Sequence, residues 1–449
     1  MAEHAFIDTV AEVEELAAKL ALEKVIAVDT EADSFFHYFD KLCLVQISAS
    51  CGTFLIDPLA VPARAFDALA PVMADPAIRK VFHAAEYDLF VLNRHSGIRV
   101  RNLFDTMISA QLLGYPAVGY GALVERHFDV RLSKDQQRTD WSRRPLKDVQ
   151  ITYAAADVAY LVELSQILER ELESHGRLSW AQAEFAALEQ RVWPEREFDE
   201  QGYLRIKGAR KLPARNLAVL RELFLLRDKR ARESDRPPFK VMGNGTLLDL
   251  AQNPPLSRRA LGKRRGITDL VLRRMGQEVV DAVTRGFEGP EHPPLERKAA
   301  GNGRRRLDRR GEARLEELKR WRAQRARELE LDPGVFCPNA SLEEIAGEMP
   351  RSAEELARLP ALKSWWAQHF GAELLRVLHD VEARVPADDG RAHAHHPQHA
   401  QQPQQPQHAQ QSPHPSGHGG QLTIGPDGLP VRRKRSRGRR RGSRGGRRR

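Results

Sequence analysis

Sliding the chain past itself by 95 residues lays LRELFLLRDKRARESDRPPFKVMGNGTLLDLA (220–251) over LEELKRWRAQRARELELDPGVFCPNASLEEIA (315–346) without a gap. Leu220/Leu315, Leu223/Leu318, Arg227/Arg322, the Arg-Ala-Arg-Glu run at 230–233 and 325–328, Pro238/Pro333, Asn244/Asn339, Leu247/Leu342 and Ala251/Ala346 match. The register holds through Pro255/Pro350, Ser257/Ser352, Leu261/Leu356 and Gly276/Gly371. Such a register means two copies of one unit. Strand signals are absent across both copies, and Thr246-x-x-Asp249 and Ser341-x-x-Glu344 repeat a helix-start pattern, so each copy is a small all-helical domain. The copies differ where Arg320 and Trp321 stand in place of Leu225 and Leu226, so the packing of the second does not follow directly from that of the first.

The chain ahead of the repeat obeys different rules. Thr9-x-x-Glu12 is a capping box that opens a helix to about Leu22, and VIAVD, LCLVQIS and TFLID then read as three strands. Their short connections demand an antiparallel meander, because a parallel crossover takes a dozen residues or more. A helical stretch, ARAFDALAPVM, leads to a fourth strand, RKVFHA, and helical patterning then runs almost continuously to about residue 170. The pattern is mixed α/β around one central sheet.

Charge divides the chain as sharply as periodicity does. The net charge is +10, but residues 432–449 hold twelve Arg or Lys and no acid, while residues 1–170 carry 17 basic and 24 acidic side chains. The basic character therefore belongs to a tail, preceded by a His/Gln/Pro-rich run too poor in apolar residues to order itself. The expected division is 1–175 for the α/β domain, 176–209 for a connecting segment, 210–290 and 311–385 for the helical copies around a linker at 291–310, and 386–449 for a disordered tail. Cys43, Cys51 and Cys337 offer neither a disulfide framework nor a zinc spacing. No apolar run approaches a membrane span and the opening residues have no export-signal pattern, so a cytoplasmic protein is expected.

Three stretches carry candidate chemistry. VIAVDTEADS ends a would-be buried strand on acids at alternate positions, where like charges need a cation or water. Asp29 and Glu31 project from one face of that strand. In FHAAEYDLFVL a strand turns into a helix carrying Asp88, and in Tyr153-Ala-Ala-Ala-Asp157 a phenol and a carboxylate stand one helical turn apart on one face. Taken singly, each has an ordinary structural explanation. His83 reads as a core or supporting histidine and Asp105 as a helix N-cap. Lys134, Arg138 and Arg144 are candidate phosphate contacts, with a solvated helix surface as the equal alternative.

Together these residues resemble the DEDD superfamily of 3′→5′ exonucleases, in the subgroup with a tyrosine in its third motif, and within it the ribonuclease D family. The first motif is Asp29-x-Glu31, the second centres on Asp88, and the third is Tyr153-x-x-x-Asp157. QQRTDWSRRPL (136–146) is similar to a segment typical of that family, and two helicase-and-RNase-D C-terminal (HRDC) domains would fill the place of the repeat. The resemblance implies an α/β RNase H-like nuclease domain, with a mixed sheet and flanking helices, followed by two all-α HRDC domains and the tail. It implies a monomeric exoribonuclease that trims tRNA precursors and other small stable RNAs, releasing nucleoside 5′-monophosphates, with two divalent ions, Mg²⁺ or Mn²⁺. Hard oxygen ligands suit those ions, and paired ions serve both the attacking and the leaving oxygen. By the same analogy Asp29 bridges the ions, Glu31 and Asp157 complete the site that activates water, Asp88 supports the other ion, and Tyr153 orients the attacking water. Asp33, which matches no motif, is expected to be a solvated acid whose removal is tolerated. The alternatives are a Werner-type DNA exonuclease and a non-catalytic RNA-binding protein.

Overall fold

The protein is described from a computed structural model that covers residues 4–194, 198–293 and 307–384, with the backbone of two short paired strands, Thr423–Ile424 and Pro430–Val431. Apart from those four residues, the tail expected to be disordered lies outside the described residues, as does most of the linker at 291–310.

Six strands form the sheet of the first domain: β1 (His4–Ile7), β2 (Val25–Ala32), β3 (Leu42–Ala49), β4 (Gly52–Ile56), β5 (Arg79–Phe82) and β6 (Leu103–Asp105), in the order β1-β4-β3-β2-β5-β6. β2, β3 and β4 form the antiparallel meander that their short connections require. β1 joins β4, β5 joins β2 and β6 joins β5, all in parallel. β1 and β6 escape sequence reading because runs of four and three residues are too short to show alternation.

Helices flank this sheet: α1 (Val10–Leu20), α2 (Ala70–Ala74), α3 (Glu86–Ser96), α4 (Thr106–Leu112), α5 (Tyr120–Phe128), α6 (Asp148–Ala159), α7 (Leu161–Ser174) and α8 (Leu178–Glu189). α1 begins with the expected capping box, Thr9 and Glu12 satisfying each other's backbone N–H groups. Helices do not run continuously to residue 170, since β6 and a long connection at 129–147 interrupt them. The segment expected only to connect domains contains α8.

The first helical copy comprises α9 (Ala214–Glu233), α10 (Pro238–Val241), α11 (Asn244–Gln252), α12 (Arg258–Leu261) and α13 (Asp269–Glu288). The second comprises α14 (Arg309–Glu328), α15 (Pro333–Phe336), α16 (Asn339–Glu348), α17 (Ala353–Ala357) and α18 (Ser364–Arg384). The 95-residue register survives down to individual hydrogen bonds. Arg227 donates to Met242 O and Asn244 Oδ1, and Arg322 donates to Cys337 O and Asn339 Oδ1. Arg230 pairs with Glu278 as Arg325 pairs with Glu373. Thr246 and Ser341 do not cap their helices, which begin two residues earlier. They hold the loop ahead of the last helix: Ser341 Oγ donates to Ala361 O at 2.5 Å, and Thr246 Oγ1 lies against the equivalent Gly266. Trp321 is buried among Phe336 and Trp366 and donates to Glu373, so the substituted position packs as firmly as the leucine it replaces.

The two copies attach differently. The first has its own core around Leu217, Leu223, Leu250 and Val279. The second shares one continuous core with the six-stranded sheet, the link being α8. Trp180 stacks on Trp365 with ring centroids 4.5 Å apart, Trp365 donates to Glu184, and Arg177 donates to Leu329 O. Fully burying side chains of this size is worth roughly 1.5–3 kcal/mol each, so this junction is integral to the fold. Among the described residues no helix is long and apolar enough to cross a membrane.

Candidate active site

β2 is a central strand, hydrogen-bonded to β3 on one side and β5 on the other, and its alternation turns Asp29 and Glu31 toward the same face. α6 packs across that face and presents Asp157. Carboxylate oxygens of Asp29, Glu31 and Asp157 all lie within 4.8 Å of one another, the one such cluster among the described residues. Asp88 arrives from the first turn of α3, where Thr30 Oγ1 donates to its Oδ1 at 2.5 Å. Thus the structure gathers all four acids, three as a tight cluster and Asp88 through Thr30, with its charge felt by both Asp29 and Glu31.

Nothing cationic balances them: no Lys or Arg among the described residues forms an ion pair with any of the four. Burial, then mutual repulsion, drives the Asp29 and Glu31 carboxyls well above their ordinary range. Burial likewise lifts Asp88 and Asp157 to about 7, against hydrogen bonds from Thr30 and Tyr153 that favour their charged forms. A half-buried, oxygen-only donor set that resists ionisation for want of positive charge fits divalent cations. Tyr153 hydrogen-bonds to Asp157, and burial followed by these acids raises its phenol further above the usual range, so it stays protonated. Protonated, it can donate a hydrogen bond and is unsuited to act as a base.

The connection at 129–147 supports this arrangement. Trp141, 1 % exposed, packs beside Tyr153 with ring centroids 6.1 Å apart, and Gln150 Nε2 donates to Thr139 Oγ1. Arg144 is neither a phosphate contact nor a solvated surface charge. Its guanidinium donates to Asp57 at 2.5 and 2.6 Å and to Trp141 O, Arg143 O and Cys43 O, which leaves no donor edge for RNA. Lys134 and Arg138 are exposed, on this connection and not on a helix.

Asp33 also departs from expectation. β2 ends at Ala32, beside a bulge at Cys43 of β3, so Asp33 no longer follows the strand's alternation. Its side chain is fully buried, Oδ1 accepting the Lys41 N–H at 2.7 Å while His37 Nε2 lies 3.7 Å from Oδ2. It fixes the loop that leaves the site. That loop docks on the first helical copy, where Asp235 accepts from the N–H groups of Tyr38 and Phe39 and from Lys41 Nζ, and bonds His37 Nδ1 at 2.9 Å.

Asp105 caps α4 as expected, accepting from Met107 and Ile108, and also accepts from Ala84 and Ala85, which sets the entry into α3 and so the position of Asp88. His83 bonds Thr106 Oγ1 at 2.9 Å, and burial lowers its pKa to about 4, so it is a neutral supporting group. Sequence reading missed three contributors. Thr30 holds Asp88. Tyr120 donates to Ala156 O and accepts from Tyr160 N, bracing the chain on both sides of Asp157. Gln46 sits opposite Asp29 in the β2–β3 register, fully buried, with neither amide atom partnered among the described residues. Only alternation within LCLVQIS marks Gln46 beforehand, as the polar residue of a buried strand.

Comparison with known proteins agrees with this construction. Residues 4–173 match the 3′-5′ exonuclease family, and 216–283 and 311–378 each match the HRDC domain. The chain is 30 % identical over 381 residues to ribonuclease D of Nitrobacter hamburgensis, covering 83 % of this chain and 94 % of the relative. It is 32 % identical over 387 residues to that of Jannaschia sp., with the same coverage. The crystal structure of Escherichia coli RNase D superposes with a TM-score of 0.62 at 26 % identity, over 86 % of this chain and all of that one. Fold, domain order and sequence converge: the chain belongs to the ribonuclease D family and is a 3′→5′ exoribonuclease.

Proposed function

We propose that this enzyme removes nucleotides one at a time from the 3′ ends of structured RNAs, tRNA precursors and other small stable RNAs among them, releasing nucleoside 5′-monophosphates. The observation that carries the reading is the convergence of Asp29, Glu31, Asp88 and Asp157 with no basic partner. The E. coli relative, described as an exoribonuclease involved in structured RNA processing, supports the substrate class.

In this reading Asp29, Glu31, Asp88 and Asp157 hold two divalent cations, Mg²⁺ or Mn²⁺. Bound there, the cations supply an activated water and neutralise charge growing on the leaving 3′ oxygen. The protein's own groups do the rest. Asp29 and Glu31 are fixed by a central strand, so their separation is preset. Tyr153, protonated and backed by Trp141, gives its single O–H to Asp157 in the metal-free protein, and would orient the attacking water by turning that O–H to it once Asp157 holds a cation. Thr30 holds Asp88 in one rotamer. Lys134 and Arg138 flank the third motif as phosphate contacts, and the helical domains and Arg-rich tail add affinity for the RNA body.

The test is 5′-labelled RNA and matched DNA incubated with Mg²⁺, Mn²⁺ or EDTA. A descending ladder on RNA, abolished by EDTA and by Asp29→Asn, is expected. A ladder that persists in Asp29→Asn refutes the metal assignment, and preference for DNA refutes the substrate.

A further inference from the structure

The duplication provides an internal control on what the helical domains do with one particular face. In the second copy, the surface formed by residues 329–336 and 365–370 is covered by the nuclease domain. The indole of Trp180 lies flat on Trp365, at an interplanar angle of 7°, with His369 and Phe370 at its edges. Subtracting 95 maps Trp365, His369 and Phe370 onto Leu270, Arg274 and Met275 of the first copy. These three line an open groove of about 270 Å³. Leu270 is 47 % exposed on its floor, with Val241, Val271 and Met275. No residue from elsewhere in the described chain lines this groove.

The chemistry of the face has changed with its coverage. Arg236, Lys240 and Arg274 rim the groove, where the second copy has Leu331, Val335 and His369. All three cations are exposed, and none pairs with an acid among the described residues. Arg230, also on the rim, is a separate case, since its ion pairs with Glu278 and with Glu233, an acid that lines the same groove, both recur in the second copy. Beyond the rim, Arg258, Arg259, Lys263, Arg265 and Arg273 continue the positive surface across α12 and into α13, where the second copy has Ala353, Glu354, Arg358, Pro360 and Gln368. The rim also adjoins the loop leaving the acidic site, because Lys240 Nζ lies 4.1 Å from the centre of the Phe36 ring.

We infer that this groove binds the RNA substrate: an unpaired base lies on the apolar floor where Trp180 lies in the second copy, and its flanking phosphates are held by Arg236, Lys240 and Arg274. A positively charged groove that follows the backbone is how nucleic-acid strands are held without sequence reading, and here Leu270, Val271 and Met275 stand where an aromatic platform is usual, so the base is held by apolar contact. The second copy, its groove filled, is structural and contributes no such contact. This rests on the exoribonuclease reading for the identity of the polyanion.

The experiment compares full-length protein with two triple variants of equal net charge: Arg236→Gln/Lys240→Gln/Arg274→Gln, and, on exposed positions of the second copy, Arg320→Gln/Arg351→Gln/Arg376→Gln. Affinity for an RNA hairpin with a single-stranded 3′ extension is measured by fluorescence anisotropy from 50 to 300 mM salt in EDTA, alongside hydrolysis of a dinucleotide in Mn²⁺. The first variant should bind at least about 10-fold more weakly at 150 mM salt, with a log–log salt slope shallower by about 2, as expected for three lost phosphate contacts. The second should change affinity less than about 2-fold, and dinucleotide hydrolysis should be unaltered in both. Equal losses, or none, overturn the inference and leave the groove to a protein partner. Failure of the wild type to cleave the dinucleotide or RNA refutes the exoribonuclease reading instead, and the binding comparison still decides the face.

Discussion

Replacing Asp157 by Asn should make the metal-free enzyme more stable while destroying its activity. Burial lifts the Asp157 carboxyl from 3.8 to about 7. Below about pH 4 the acid is protonated in both folded and unfolded chains and has no effect on stability. As pH rises toward 7 the unfolded chain releases its proton while the folded protein resists, and stability is lost throughout that window. At 1.36 kcal/mol for each tenfold, the full cost above pH 7 is about 4 kcal/mol. Asn cannot ionise, keeps an oxygen to accept from Tyr153, and has nearly the same shape, so the variant should regain on the order of 2–4 kcal/mol at pH 8. For a folded unit of this size that is roughly 4–8 °C in melting temperature. At pH 4.5 the same calculation leaves about 1 kcal/mol. Calorimetry in EDTA at the two pH values, then with Mn²⁺ added, separates the contributions. Mn²⁺ should raise the melting temperature of the wild type well beyond that of the variant. A variant no more stable than wild type at pH 8 in EDTA, or equally stabilised at both pH values, would show that the acids are not held under electrostatic strain.

Other perturbations read other parts of the structure. Asp33→Ala removes a buried carboxylate that holds the Lys41 N–H and should cost about 1–3 kcal/mol in urea denaturation, with Asp33→Asn milder; an unaltered midpoint would restore the view of Asp33 as a surface acid. Arg144→Ala leaves the Asp57 carboxylate, 4 % exposed, without its partner and should destabilise by about 3–5 kcal/mol while leaving the salt slope of RNA binding unchanged. A flatter slope at intact stability would return Arg144 to the RNA contacts. Removing residues 432–449 should weaken RNA binding and flatten its salt dependence without altering dinucleotide hydrolysis, and an unchanged slope would exclude the tail from binding.

The four acids and Tyr153 were legible through the resemblance of their motifs to a known family; spacing by itself put Asp29 with Glu31 and Tyr153 with Asp157 on shared faces and left Asp88 as an ordinary first-turn acid. The antiparallel meander followed from loop length, and the duplicated domains from register. What escaped depends on contacts between distant segments. Asp33 looked solvated because it matches no motif at what reads as the strand's exit, and the bulge that turns it inward gives no local sign. Arg144 looked available because Asp57, 87 positions away, gives no local sign of meeting it. Thr246 and Ser341 fit a capping pattern, but a hydroxyl in a helix's first turn equally serves a loop that packs beside it. Tyr120 belongs to no spacing pattern, and Gln46 shows only as a polar residue in a buried strand; the fold alone brings them to the acids.

The core shared between the nuclease sheet and the second HRDC domain has a consequence for biosynthesis. Trp180 leaves the ribosome roughly 190 residues before Phe370, the last of the side chains packed around it. At about 5–20 residues per second, the apolar face of α8 waits roughly 10–40 s for its cover while the first HRDC domain, with a core of its own, completes in between. The catalytic sheet is thus translated first yet closed last, and a message truncated before α18 would yield a nuclease domain with an open, aggregation-prone seam.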